Sequence, residues 1–107
     1  MEPEHIKDLV ITSLEDMKAS EIITLDVRGL TSITDFMVVC SGTSQRHIKS
    51  IADKLIDYAK QHKVRPLGMS GEQTCEWVLV DLADVIVHVM LPESRELYQL
   101  EALWRSR

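Results

Sequence analysis

Residues 35–53, DFMVVCSGTSQRHIKSIAD, decide how this chain folds. Asp35 to Ser41 is a nearly continuous apolar run, the pattern of a strand covered on both faces. From Ser44 the period changes to that of a helix. Ile48, Ile51, Ala52, Leu55, Ile56 and Ala59 form one stripe, while Gln45, Lys49, Asp53, Lys54 and Lys60 fall mostly outside it. Strand, glycine-containing turn and helix therefore follow one another, an order that many proteins use to hold phosphate at a helix N-terminus. A phosphate cradle needs more than SGTS provides. The P-loop pattern requires a second glycine followed by Lys and Ser or Thr, and the dinucleotide fingerprint requires three spaced glycines. Gly42 stands alone, and no Lys occupies the following first turn. A hydroxyl cap from Thr43 or Ser44, contributing about 1 kcal/mol, accounts for the turn without a ligand.

Upstream, Ile6, Leu9, Val10, Ser13, Leu14 and Met17 recur at helical spacing, so residues 5–20 predict an amphipathic first helix. The β-branched run IITLDV predicts a first strand ending at Arg28-Gly29, and LTSIT a connection. Downstream, HKVRPLGMSGEQ holds a proline and two glycines, which end the second helix and lead through a short extended segment into a turn. CEWVLVDLADVIVHVM predicts two strands, Glu76 to Asp81 and Val85 to Met90, joined by a tight turn at Leu82-Ala83-Asp84. Pro92 ends the second of these. A last helix in ESRELYQLEALW carries a stripe of Leu97, Leu100 and Trp104, with Leu103 beside it. Strands and helices do not strictly alternate, so the expected architecture is an α+β or α/β sandwich: a mixed sheet of about five strands with helices packed on it.

The 107 residues suit a single domain, residues 1–107, with no internal repeat or linker. Hydrophobic residues make up 45% and charged residues 27%, which excludes disorder as the main state. No apolar run approaches the roughly 20 residues of a membrane span, and the acidic start lacks a signal-peptide pattern. With two isolated cysteines, Cys40 inside a strand pattern and Cys75, the expected setting is cytoplasmic. Seventeen acidic against twelve basic residues give a net charge of −5, a poor magnet for nucleic acid but a suitable one for a basic protein.

Candidate chemistry is sparse. The four histidines and two cysteines show no short ligand spacing, so no metal or other cofactor is expected. His88 shares a strand face with Ile86 and Met90 and is expected to be a hydrogen-bonded sheet histidine. Asp81 and Asp84 flank the turn, an odd offset that places them on opposite strand faces and suits turn formation better than a metal pair. Asp26 and Asp35 sit near strand ends. Strand alternation puts Trp77 with Leu79 and Asp81, opposite Val78 and Val80. Trp77 and Tyr98 fit either a core or an interface-anchor role, since both combine apolar area with a polar handle.

LDVRGLTSITDFMVVCSGTSQRHIKSIAD, PLGMSGEQTCEWVLVDLADVIVHVM and ESRELYQLEALW, in this order, resemble the ribosomal silencing factor, or Iojap-like, family. The likeness covers nearly the whole chain, is weakest in residues 1–20 and 57–65, and is closest to the bacterial stand-alone form. It implies a nucleotidyltransferase-like fold without enzymatic activity, in keeping with the missing Asp-x-Asp in EWVLVDL. It also implies a partner and a mechanism. The family binds the large ribosomal subunit through ribosomal protein number fourteen and sterically blocks joining of the small subunit, which represses translation under nutrient limitation. Trp77, Leu82 and Tyr98 match the family's contact positions, and Asp81 and Asp84 add an acidic rim for a basic partner. Little direct nucleic-acid binding is expected, and the chain is a monomer or weak homodimer. The alternatives are a residual nucleotide-dependent transferase and a homodimeric scaffold built on an exposed strand edge.

Overall fold

The computed structural model describes the backbone of residues 2–98 and the side chains of residues 2–95. The elements follow the predicted order: α1 (Pro3–Asp16), β1 (Ser20–Asp26), β2 (Phe36–Ser41), α2 (Gln45–Gln61), β3 (Gly68–Ser70), β4 (Trp77–Asp81), β5 (Val85–Met90) and α3 (Pro92–Tyr98). The predicted stripe of Leu97, Leu100, Leu103 and Trp104 lies outside the described side chains, as does the side chain of Tyr98.

The five strands form one mixed sheet in the order β1-β2-β5-β4-β3. β2 and β5 run parallel at its centre, in register from Phe36 opposite Val85 to Ser41 opposite Met90, and every residue of both is buried. That is why the two strands lack alternation in the sequence: each side chain has a covered face to point into. The other neighbouring pairs are antiparallel. α1 and α2 cover one face, where Ile6, Val10, Leu14, Ile48, Ile51 and Leu55 meet Val38, Cys40, Val78, Val80 and Val87. The second face carries a smaller cluster of Leu25, Val27, Met37, Val39 and Met90, with Ile23 and Trp77 packed against it.

The end of α1 differs from its periodicity, while α2 ends where the sequence suggested. α1 stops at Asp16, four residues early, because Lys18 adopts φ +60° and Ala19 N–H turns back to the Leu14 carbonyl at 3.0 Å. α2 ends in the same way, with Lys63 at φ +62° and Val64 N–H bonded to the Ala59 carbonyl at 2.8 Å. Glycine usually takes this left-handed position. Here lysine does, so no glycine marks the end of α1 in the sequence. Pro92 does more than end β5: it opens α3, where a missing N–H costs nothing. Cys40 is buried, and burial pushes its thiol up to about 12, so the thiolate is absent at neutral pH.

Candidate functional site

The SGTS turn is a helix cap, and the N–H groups of Gly42 and Thr43 are already engaged. Ser44 Oγ accepts from His47 N–H at 3.1 Å, and His47 Nδ1 accepts from Thr43 N–H at 2.9 Å. Gly42 N–H donates to the Met90 carbonyl at 3.1 Å. With Nδ1 acting as acceptor, His47 carries its proton on Nε2 and donates it to the Met17 carbonyl at 2.8 Å, tying the start of α2 to the end of α1. The glycine is explained by space. A Cβ at position 42 would stand 2.7 Å from Ile48 Cγ1 and 3.3 Å from His47 Nδ1, so the volume beside this backbone is filled by the protein itself. Asp26 is likewise occupied: Arg28 donates to both its carboxylate oxygens, at 3.0 and 2.7 Å, and to Glu4 at 3.0 Å, above the Phe36 ring. These bonds hold the Asp26 carboxyl below its ordinary range. Among the described residues, no three His, Cys, Asp or Glu side chains group in a way that would hold a metal ion.

The β4–β5 hairpin carries the predicted contact residues, and the structure spreads them out. Trp77, Leu79 and Asp81 form a half-buried row on the second face, while Val78 and Val80 point into the helix-side core. Trp77 pairs with Met90 at one end of the sheet, the end from which α3 departs. Asp81, Leu82 and Asp84 lie at the other end, roughly 13 Å or more away at the rise of an extended strand. The register therefore spreads these residues along a strip and does not gather them at one end of the hairpin.

Leu82 departs further from a surface position. Only 2% of it is exposed, and its side chain belongs to the helix-side core. Its N–H donates to the Val85 carbonyl at 3.0 Å and its carbonyl accepts from Asp84 N–H at 2.9 Å, so Leu82 holds the turn. Asp81 Oδ1 accepts from Ala83 N–H at 2.8 Å, steadying the left-handed Ala83 (φ +70°). Asp84 is half-buried, and its carbonyl accepts from Asp35 and Phe36 N–H at 3.1 and 3.0 Å, joining the turn to the start of β2.

Trp77 is oriented by a histidine. Its Nε1–H donates to His88 Nδ1 at 2.9 Å, with the rings tilted by 49°. His88 is thus the hydrogen-bonded sheet histidine that the sequence suggested. Because Nδ1 accepts, the neutral ring must hold its proton on Nε2, which is buried and has no partner among the described residues. Burial pulls the His88 pKa down from 6.5 to about 4. Between those values the unfolded chain binds a proton that the folded chain refuses, so stability rises with pH through this window. At pH 5 this penalty is about 2 kcal/mol relative to pH 7. Urea midpoints at pH 7 and 5 should show it, and the gap should narrow by that amount in His88→Gln.

Sequence analysis missed two features around this strip. Leu30 and Ile33, in the connection before β2, are 44% and 76% exposed. Ile33 lines a groove of about 160 Å³ with Met37, Leu79, Ile86 and His88, continuing the apolar surface along β4. The signal was present as two large apolar residues in a loop, but a loop has no period to say which way they face. The second feature is Gly71, with φ +85°, where any Cβ would collide with the Trp77 carbonyl oxygen. Gly71→Ala is expected to cost at least about 2 kcal/mol, from left-handed backbone strain together with the collision, and to disturb Trp77. Chemical denaturation with tryptophan fluorescence reads both effects.

The comparisons agree with this architecture. The family model described as "Ribosomal silencing factor during starvation" matches residues 2–107. The chain is 42% identical over 97 residues to ribosomal silencing factor RsfS of Haemophilus influenzae, covering 91% of this chain and 95% of that protein. It superposes on the crystal structure of a Chromobacterium violaceum protein with a TM-score of 0.95 and 45% identity, covering 97% of this chain and 87% of that one. It is also 34% identical to the mouse protein named "Mitochondrial assembly of ribosomal large subunit protein 1", over 94% of this chain and 45% of the mouse protein. With the mixed five-stranded sheet, the close superposition on a solved structure at 45% identity and a family match that spans the described residues, the chain belongs to the ribosomal silencing factor family.

Proposed function

We propose that this protein binds the large ribosomal subunit through ribosomal protein number fourteen and, by its bulk on the joining face, keeps the small subunit away when nutrients are scarce. The observation that carries the proposal is the half-buried row Trp77-Leu79-Asp81 with the apolar groove beside it, on a face that α1 and α2 leave uncovered. Such a strip has the composition of an interface: an aromatic anchor and aliphatic contacts at the centre, with Asp81 and Asp84 toward one end for a basic partner. Tyr98, at the end of α3, is kept as the contact position that the resemblance implies, and Leu82 acts through the turn it holds. Family membership supports a ribosomal target, and the name of the mouse relative ties that protein to the large subunit. No bond is made or broken in this mechanism; inhibition is occupancy.

Sucrose-gradient sedimentation with purified subunits tests it. The protein is expected to travel with the large subunit alone and to reduce the joined ribosomes formed when small subunits are added. Migration with the small subunit, or undiminished joining at saturating protein, would refute the proposal.

A further inference from the structure

The molecule is acidic overall, with a net charge of −5, yet one cleft reverses the sign. It lies between the end of α2 and β3, encloses about 480 Å³, and has Ile56, Val64 and Met69 as an apolar floor. Lys60, Lys63 and Arg65 line it as well, and among the described residues no acidic side chain does. All three cations are exposed, and among the described residues none of them is in an ion pair.

The cleft also adjoins backbone. β3 is the last strand in the sheet order and is three residues long, and among the described residues it pairs only with β4, so its outer edge has no strand partner there. Beside it, Leu67 is 64% exposed, and a Cβ built on Gly68 meets nothing within 4 Å, so the approach to this edge is open. Met69 lies opposite Val80, which places the helix-facing side of β3 toward the cleft floor.

We propose that this cleft is a second binding site, separate from the Trp77 strip, and that it takes an extended acidic peptide segment of a partner protein added as a strand to the edge of β3. Strand addition takes its affinity from main-chain hydrogen bonds and its specificity from pockets for alternate side chains. Side chains two apart in a strand share a face and stand about 7 Å from one another. A segment with acid, apolar and acid residues at alternate positions would seat its apolar side chain over Val64 and Met69 and set both carboxylates among Lys60, Lys63 and Arg65. The lining favours peptide over nucleic acid, because no aromatic side chain is present to stack a base.

The test is an amide-resolved nuclear magnetic resonance titration of the full chain. The probe is a capped eight-residue peptide with Asp, Leu and Glu at alternate positions and Thr between them. Amide shifts should concentrate in residues 60–70. Affinity should fall at least tenfold when the two acids become Asn and Gln, and at least tenfold in the Lys60→Gln/Arg65→Gln variant, whose exposed sites lower the melting temperature by at most a few degrees. Four results would overturn the proposal: no binding up to millimolar peptide; equal binding of the neutral peptide; tighter occupation of the same amides by an eight-nucleotide oligouridylate; or shifts at β3 driven by protein concentration alone, which would assign the edge to a second copy. Trp77→Ala should leave the peptide titration intact, which separates this site from the ribosomal one.

Discussion

Trp77→Ala is expected to weaken binding to isolated large ribosomal subunits by about 30-fold or more, the roughly 2 kcal/mol that truncation of a central aromatic anchor costs. The side chain has the position for such a role, half-buried on the uncovered face and oriented by its hydrogen bond to His88. It is not, however, an isolated surface group. Removing the indole leaves His88 Nδ1 without its donor, beside an Nε2 that already lacks a partner, and takes apolar area from the second-face cluster. An abandoned buried acceptor costs about 1–3 kcal/mol, so the melting temperature should fall by several degrees while the chain stays folded at 25 °C. Trp77→Phe separates the two effects. It restores most of the apolar contact but not the N–H, so subunit binding should recover further than stability does. Binding of Trp77→Ala within threefold of the parent chain, measured by equilibrium sedimentation on large subunits, would remove Trp77 from the interface.

Leu82→Ala is expected to destabilise the fold by about 2–5 kcal/mol, the range for deleting a buried leucine that its surroundings cannot replace. The resemblance places Leu82 among contact residues, and the coordinates place it 2% exposed in the helix-side core at the turn between β4 and β5. These two statements predict different behaviour. A contact leucine would leave the urea midpoint alone and lose binding. A turn-holding core leucine loses stability first, and binding follows as Asp81 and Asp84 lose their positions. Leu82→Met keeps the volume and should cost less than about 1.5 kcal/mol, with binding nearly retained. If Leu82→Ala unfolds at the same urea concentration as the parent chain, the core assignment of this side chain is wrong.

Much of this was legible in the sequence because the relevant physics is local. The change of period at Ser44 marked a strand followed by a helix; the nearly continuous apolar run of residues 35–41 read as a strand with two covered faces, and the run ending at Met90 as a further strand. Those two became the parallel central pair. Alternation in EWVLVD put Trp77, Leu79 and Asp81 on one face, and the burial of β4 follows it residue by residue. The lone Gly42 and the absent lysine argued for a cap, which the Ser44 hydroxyl supplies.

Tertiary structure decided what a period cannot encode. Position in a strand says which face a residue uses but not how far apart two contacts lie, so only the register showed that Trp77 and the turn occupy opposite ends of the hairpin. Leu82 sits in a turn, where no repeat indicates inside or outside, and its burial depends on α1, α2 and the sheet meeting above it. The roles of His47 and His88 rest on partners 30 and 11 residues away. The basic cleft joins the end of one helix to a three-residue edge strand whose place is set by pairing with β4. Side-chain periodicity is written into consecutive residues. Burial, hydrogen-bond partners and the convergence of like charges arise from which distant segments the hydrophobic core draws together, and only the folded chain reveals them.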